Sequence, residues 1–334
     1  MERWSGRVDR TPTGTTPILH HSTTPFLLMK VFVTGASGFV GQELAGCLRQ
    51  AGHSIRILAR SRDSRRVQEV AARYQAEVHE GDVLDATSLD GALEGMAAVI
   101  HLVGIISEVG RSTFENVHTR GTQNMVAAAQ RAGVGRFIQM SALGTRPNAI
   151  SRYHQTKWAA EEAVRQSGLD FTIFRPSLIY GPRDQFVNLF AKIIRLSPIL
   201  PVMGSKSVRF QPVSVQSVAT AFAASLMETR AVGQTYDLCG PETFTLAEIL
   251  DEILFVMGRR PLKLRVPLGL SRCQAAVLEF AFPRLLGRAP PLNRDQLIML
   301  QEDNVGDARP ANELFKLKMG SFREGIAGYL KRGR

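Results

Sequence analysis

The sequence has few cysteines, no long apolar run and no metal-binding pattern. Its three cysteines, Cys47, Cys239 and Cys273, lie far apart and match no metal-ligand spacing, which indicates packed, reduced thiols in a reducing compartment. No apolar run approaches the ~18 to 20 residues that a membrane-spanning helix needs, so the pattern predicts a soluble or peripheral protein. The sequence also lacks zinc-finger spacing, an RNA-binding aromatic signature and a recognition-helix pattern, and we therefore do not expect nucleic acid as a partner.

The sequence is long enough for two lobes and carries a large excess of positive charge. The 334 residues, 44% of them hydrophobic, are enough for a full α/β core and a smaller second lobe. The net charge is +11, which suits anionic lipid, nucleic acid or a phosphate-bearing cofactor. Residues 1–28 are rich in Thr and Pro, show no periodicity and lack the apolar core of a secretory signal. We expect a disordered leader there, with Met29 as a candidate start of translation.

The most informative stretch covers residues 30–60 and predicts a β-α-β unit. An apolar strand, Lys30–Thr34, precedes an amphipathic helix, and a second strand, Ile55–Ala59, follows it. Three glycines open the helix: Gly35 permits the tight turn, Gly38 lets the backbone approach a pyrophosphate, and Gly41 allows close packing. The helix N-terminus adds unpaired N–H donors for an anion. Because strand, turn, helix and strand are all present, this pattern favours dinucleotide binding over a purely structural turn.

The end of the second strand predicts which cofactor binds. An acid at that position bonds the ribose hydroxyls of NADH, whereas an arginine accommodates the 2′-phosphate of NADPH. Here Arg60 and Arg62 follow the strand, no acid comes before Asp63, and five arginines fall between Arg56 and Arg66. We expect NADPH in preference to NADH. The alternative is an ordinary solvated basic loop.

Alternating strands and helices continue, which predicts a doubly wound parallel sheet of the Rossmann type with helices on both faces. A third strand precedes Asp82, whose carboxylate suits either an adenine amine or a turn. The fourth strand, Ala98–Leu102, ends in Leu102-Val103-Gly104, which we expect to touch the cofactor. The fifth strand, Arg136–Met140, ends at Ser141.

A candidate catalytic pair follows the fifth strand. Tyr153 and Lys157 are four residues apart, so a helix puts them on one face. A lysine ammonium beside a phenol lowers its pKa and can also donate to a nicotinamide ribose, which lets the tyrosine exchange a proton with a substrate oxygen. This spacing alone is typical of an ordinary helix face. Its position after the fifth strand of a dinucleotide-binding fold favours the functional interpretation.

Beyond Pro182 the regular alternation loosens, and we expect a smaller α+β lobe. Its predicted features include a Pro-bounded loop, Pro198–Pro201, and a capping box formed by Thr245 and Glu248. The predicted organisation is therefore a leader over residues 1–28, a dinucleotide-binding domain over 29–182, and a substrate or docking lobe over 183–334 that interleaves with the core.

A basic and apolar segment runs from Arg259 to Arg294, with eight Lys or Arg and the single acid Glu279. Such a segment can lie on a membrane surface or dock on a membrane-complex partner. It can equally be a helix that closes the substrate cleft with its charges in water. No one-sided apolar stripe spans its prolines. We expect a cytoplasmic protein, with a peripheral position at the inner membrane as the alternative.

Several motifs together resemble the short-chain dehydrogenase/reductase superfamily, in its extended or atypical branch. The matching pieces are TGASGFVG (residues 34–41), Gly81-Asp82-Val83, Asn116–Thr122, YHQTK (153–157) and RPSLIYGP (175–182). The phrases AVIHLVGII and FIQMSALG and the tail PPLNRDQLIMLQEDNV are similar to the NAD(P)H-binding accessory subunit family of respiratory complex I and its bacterial homologues.

This resemblance implies a Rossmann fold, bound NADPH and a set of site residues. The implied cofactor contacts, together with the end of the fourth strand, are Gly35, Ser37, Gly38, Phe39, Val40, Gly41, Arg60, Asp82, Val83, Leu102, Val103, Gly104, Tyr153, Lys157, Pro176, Leu178 and Ile179.

The resemblance does not settle the activity, and our leading interpretation is reduction of a small carbonyl or quinone-like substrate. Tyr153 would be the acid/base, Lys157 the ribose anchor and Ser141 the group that orients the carbonyl; no metal is implied. Family enzymes usually carry a second hydroxyl after the strand-ending serine, where this sequence has Ala142. Two alternatives therefore stay open: a non-catalytic, NADPH-bound accessory or assembly factor of a membrane respiratory complex, and a sugar-nucleotide epimerase or dehydratase.

Overall fold

The computed structural model of the protein describes residues 28–202, 207–287, 289–290 and 292–331. The predicted leader, except for Leu28, lies outside the described residues. In chain order the strands are β1 (Lys30–Thr34), β2 (Ser54–Ala59), β3 (Glu77–Glu80), β4 (Ala98–His101), β5 (Arg136–Met140), β6 (Asp170–Pro176), β7 (Ile179–Tyr180), β8 (Ile199–Val202), β9 (Arg209–Phe210), β10 (Val213–Ser214), β11 (Gln234–Leu238), β12 (Phe244–Thr245) and β13 (Leu262–Arg265).

The helices are mostly the connections between these strands. They are α1 (Phe39–Gln50), α2 (Arg65–Tyr74), α3 (Gly121–Arg131), α4 (Arg152–Arg165), α5 (Phe186–Leu196), α6 (Val215–Ser225), α7 (Leu246–Met257), α8 (Leu268–Leu286), α9 (Arg294–Met299), α10 (Arg309–Phe315) and α11 (Phe322–Leu330). A π-helical segment, Glu115–Arg120, leads directly into α3. Such segments often occur beside functional sites.

The centre of the molecule is a seven-stranded parallel sheet in the order β11-β6-β5-β4-β1-β2-β3. Side chains alternate across it: Val31 and Val33 of β1 belong to the core on one face, and Phe32 belongs to the core on the other. All three are fully buried, as expected for a strand covered by helices on both sides. The predicted doubly wound Rossmann fold is confirmed.

Strand order reverses between β1 and β4, and ligands of such sheets bind outside the carboxyl ends of the strands at this point. The last strand of the sheet, β11, comes from the C-terminal half of the chain and pairs with β6. The two halves of the sequence are therefore interleaved in one sheet.

The C-terminal lobe has its own apolar core, built mainly from α5, α7 and α11. The predicted capping box is confirmed, since Thr245 and Glu248 bond each other's backbone N–H groups at the start of α7. The predicted loop Pro198–Pro201 is wrong, because residues 199–202 form β8, which pairs with β13. A proline is tolerated there because this ribbon has only two strands and both lie at an edge. Within the described ranges, no helix combines the length and the apolar content that a bilayer crossing requires.

Candidate functional site

The glycine turn between β1 and α1 has the geometry of a pyrophosphate cradle. Gly35 has φ +73°, a left-handed conformation that favours glycine. A Cβ on Gly41 would lie 2.3 Å from the Gly35 carbonyl oxygen, so only a glycine fits there. Gly38 is the N-cap, and no side chain caps the helix. The first-turn N–H groups, including those of Phe39 and Val40, are thus available to an anion, and this end of the site fits a dinucleotide.

The end of β2 presents unpaired positive charge next to this turn. Arg60 and Arg62 are exposed, and neither guanidinium has a hydrogen-bond or ion-pair partner within the part of the chain that the structure describes. The Arg62 backbone N–H donates to a Glu80 carboxylate oxygen at 3.1 Å, which fixes the loop while both side chains stay in solvent. Two free guanidiniums at this strand end suit a phosphate dianion.

Asp82 follows the end of β3. The sequence suits it either to an adenine contact or to a turn, and in the structure its carboxylate stabilises a turn. Its Oδ1 accepts from the Leu84 N–H at 3.0 Å. The neighbouring Val83 is buried, and its carbonyl accepts from the Asn124 side-chain amide at 2.8 Å. Both residues lie where predicted, beyond the carboxyl end of a sheet strand.

The end of β4 connects the glycine turn to the candidate catalytic pair. A Cβ on Gly35 would lie 3.3 Å from the Leu102 Cβ, so the turn packs on the end of this strand. Two residues further on, a Cβ on Gly104 would lie 3.0 Å from Lys157 Nζ. The structure therefore brings Gly35, Leu102, Val103, Gly104 and Lys157 into one continuous row along the carboxyl edge of the sheet.

Lys157 is a buried cation beneath this edge. Its Nζ donates to the Met140 carbonyl oxygen at 3.1 Å, at the end of β5. Burial lowers the pKa of the ammonium to about 8, and the nearby carboxylate of Glu161 opposes that fall. A buried ammonium with few partners can donate to another oxygen at this edge.

Tyr153 lies in an aromatic box next to Lys157. Its ring meets Phe114, His118 and His154 edge to face, with centroid distances of 5.9, 5.1 and 5.2 Å. Burial raises the pKa of the phenol to about 12, and the carboxylate of Asp295 adds to the rise. The expectation that Lys157 lowers this pKa is wrong for this structure, because desolvation by burial dominates.

Ser141 is buried, and it is joined to two residues that the sequence analysis missed. Its hydroxyl donates to Thr145 Oγ1 at 3.4 Å, and the same Thr145 oxygen lies 3.4 Å from His154 Nδ1. A second hydroxyl, that of Thr145, thus lies beside Ser141, although residue 142 itself has none. A hydroxyl four residues after the strand-ending serine was the available signal in the sequence.

Two further buried histidines, His101 and His118, were also missed. His101 bonds Thr34 Oγ1 at 2.8 Å, and His118 bonds Thr156 Oγ1 at 3.0 Å. Burial first, and then positive charges that include Lys157, lower the pKa to about 3 for His101 and about 2 for His118. For His154, burial lowers it to about 4. All three imidazoles are neutral at pH 7, so the ammonium is buried without further positive charge beside it.

A C-terminal strap, residues 293–304, holds the loops around this site. Asp295 Oδ1 accepts from the Arg152 N–H at 2.9 Å, and Oδ2 accepts from the Tyr153 N–H at 3.1 Å. This carboxylate thereby caps the helix that carries the tyrosine. Asn293 donates to the Ile106 carbonyl oxygen at 2.8 Å, beyond the end of β4. No sequence signal could link residues separated by more than 140 positions.

The segment after β6 completes the edge. The Pro176 carbonyl accepts from the Leu143 N–H at 2.9 Å, and the Leu178 carbonyl accepts from the Val213 N–H at 2.9 Å. Ile179 belongs to β7, which pairs with β10. Pro176 therefore lies beside the segment that follows β5, whereas Leu178 and Ile179 lie beside β10. Ser37 is in the glycine turn, where its carbonyl oxygen accepts from the Gln42 amide at 3.0 Å.

Comparison with known proteins agrees with this geometry. A protein family described as NAD(P)H-binding matches residues 35–192. The chain is 31% identical over 279 residues to the mitochondrial NADH dehydrogenase [ubiquinone] 1 alpha subcomplex subunit 9 of Arabidopsis thaliana, covering 82% of this chain and 68% of that protein. It is 34% identical over 240 residues to the ceramide reductase of Caulobacter vibrioides, covering 71% of this chain and 73% of that protein.

Solved structures give the same fold. The UDP-glucuronic acid 4-epimerase of Bacillus cereus, in complex with UDP-glucuronic acid and NAD, superposes with a TM-score of 0.69 over 92% of this chain and 100% of that chain. Its sequence identity is 18%, so this likeness shows the fold alone.

The fold and the site together define an NAD(P)H-binding Rossmann protein of the oxidoreductase type. The chain belongs to the short-chain dehydrogenase/reductase superfamily, in the extended or atypical branch that includes the NADH dehydrogenase subunit matched above.

Proposed function

We propose that this protein is an NADPH-dependent oxidoreductase that reduces a small carbonyl or quinone-like substrate. The observation that carries the proposal is the position of Tyr153 and Lys157. They lie one turn apart on α4, and Lys157 approaches Gly104 at the edge where the glycine turn also lies.

The chemistry divides among few residues. A bound nicotinamide would supply the hydride. Tyr153 would donate its proton to the substrate oxygen, and its phenol is protonated at neutral pH. Lys157 would hold the ribose, and the Ser141 hydroxyl, backed by Thr145, would orient the carbonyl.

The choice of NADPH over NADH is supported by Arg60 and Arg62. Both are exposed and lack carboxylate partners in the described part of the chain, and no acid occupies the position that bonds a free 2′-hydroxyl. The tight turn and the unpaired helix terminus can bind either coenzyme, so the preference for NADPH over NADH depends on the two arginines.

Turnover tests the enzymatic role. The loss of reduced-nicotinamide absorbance is followed with a panel of quinones and carbonyls for the wild type, Tyr153→Phe and the control Tyr74→Phe, which lies on α2. We expect turnover that Tyr153→Phe lowers by about a hundredfold or more and Tyr74→Phe leaves unchanged. Equal rates in all three proteins would refute the role of Tyr153.

Coenzyme affinities test the discrimination. Dissociation constants for NADPH and NADH are measured for the wild type, Arg60→Ala and the control Arg73→Ala. Losing a charged hydrogen bond should weaken NADPH binding about tenfold or more and leave NADH binding unchanged. An unchanged ratio in Arg60→Ala would show that Arg60 is not a phosphate ligand.

The second candidate is a cofactor-bound accessory or assembly factor of a membrane respiratory complex. The relatives named as NADH dehydrogenase subunits favour it, as does Ala142 in place of the usual second hydroxyl. Tight retention of the cofactor without oxidation by any substrate in the panel would favour this role over the enzymatic one.

A further inference from the structure

The ribbon formed by β8 and β13 exposes its apolar side. Ile199 pairs with Leu262, and Pro201 pairs with Leu264. Because paired residues of neighbouring strands point to the same side, these four side chains form one patch. Leu262 is 69% exposed and Leu264 is 53% exposed. Leu200, which lies between Ile199 and Pro201 on β8, is instead buried in the lobe core. The ribbon is amphipathic with its apolar side in solvent.

The helix α8, which follows this ribbon, also exposes apolar side chains to solvent. In α8 the exposed side chains Leu270, Cys273, Val277 and Phe280 recur at three- and four-residue spacing, which puts them on one stripe. The side that α8 buries carries small residues, Ser271 and Ala275. This part of α8 therefore does have a one-sided stripe, although none spans the prolines of the whole segment.

Unpaired cations lie on α5, directly before β13 and on α8. Five exposed cations have no carboxylate partner in the described part of the chain: Lys192, Arg195, Arg259, Arg260 and Arg272. Two acids in this part of the chain are already paired. Glu279 forms an ion pair with Arg294 at 2.6 Å, and Asp251 pairs with Lys263. The ribbon, the α8 stripe and these five cations, called here the lobe face, thus combine exposed apolar side chains with unpaired positive charge.

We propose that the lobe face docks on an anionic lipid surface. Apolar patches on the ribbon and on a helix, with cations beside them, match a bilayer interface in which acyl chains lie under negative headgroups. A second copy of the chain fits less well, because a symmetric contact through this face would bring its own cations together. Large exposed apolar patches mark interaction sites in soluble domains.

The test uses the full chain and co-sedimentation with vesicles of phosphatidylcholine, alone or mixed with phosphatidylglycerol. We expect binding to the mixed vesicles that weakens with salt. Arg259→Gln with Arg260→Gln should lower the partition coefficient about 30-fold, at about fivefold per cation. Leu262→Ser with Leu264→Ser should lower it about tenfold or more, because two exposed leucines no longer enter the interface.

Matched controls carry the same kinds of change elsewhere: Met227→Ser for the apolar pair and Lys318→Gln for the cations. Both should bind within about twofold of the wild type, since one cation outside the lobe face adds little. Thermal unfolding checks that all variants fold. The absence of vesicle binding, or equal losses in controls and lobe-face variants, would overturn the proposal. So would a dimer in solution that the lobe-face variants dissociate, because the face would then join two copies.

Discussion

Removing one buried carboxylate should destabilise the helix that carries the catalytic pair. Glu161 on α4 is fully buried, and its oxygens accept from Arg165 at 2.6 Å and from Arg175 on β6 at 2.6 and 2.8 Å. In Glu161→Gln the Arg175 guanidinium loses its ion-pair partner, and Arg165 keeps only Glu162. Removing one partner of a buried pair costs about 3 to 5 kcal/mol. Because both arginines keep some exposure, we expect about 3 kcal/mol.

The control is the next residue. Glu162 also pairs with Arg165, at 2.7 Å, but its side chain is 38% exposed. Glu162→Gln should therefore cost less than about 1 kcal/mol. Urea unfolding is followed by the fluorescence of Trp158, whose ring lies 4.9 Å from the Arg165 guanidinium. Equal costs for the two substitutions would refute the reasoning, because burial would then add nothing to an ion pair with the same arginine.

Two further predictions follow from the site. Gly41→Ala should abolish dinucleotide binding, because its Cβ would meet backbone 2.3 Å away; Gly46→Ala, with 3.5 Å to Tyr74, should bind normally and gain up to about 1 kcal/mol in unfolding experiments. The lowered pKa values of the three buried histidines mean that only the unfolded chain takes up their protons below pH 6.5. Their stabilising contribution is complete above that pH and should fall by about 4 kcal/mol per pH unit between about pH 6 and pH 4, as urea unfolding at several pH values will show.

Local sequence patterns were enough to predict most of the sheet. The strand β5 has the predicted bounds, and β2 differs by one residue, because buried parallel strands read as short, β-branched apolar runs between turn signals. The ribbon strand β8 was missed. Pro198 precedes it and Pro201 lies within it, and only its pairing with β13, more than 50 residues later, makes it a strand.

The site residues likewise fall into those that local sequence predicts and those that depend on tertiary contacts. The glycine turn, Tyr153 and Lys157 are set by spacing within one strand-helix unit, so the sequence predicts them directly. Asp295 and Asn293 act across the fold from a separate segment, and their roles depend on tertiary contacts. The pKa of Tyr153 was predicted in the wrong direction for a related reason: spacing indicates a neighbouring lysine, but it does not reveal how deeply the phenol is buried.

The buried ion cluster ties the stability of α4 to the charge that the site needs. Lys157 and Glu161 are four residues apart on α4, and both are buried. The Glu161 carboxylate links α4 to β6 through Arg175, and its negative charge also raises the pKa of the Lys157 ammonium. Glu161→Gln should therefore lower the pKa of Lys157 further. A deprotonated amine is a weaker donor than an ammonium, so coenzyme binding should weaken when Lys157 loses its proton. In Glu161→Gln this weakening should therefore begin at a lower pH than in the wild type. That pH shift would separate the electrostatic role of Glu161 from its structural one, because a loss of packing alone would weaken binding equally at every pH.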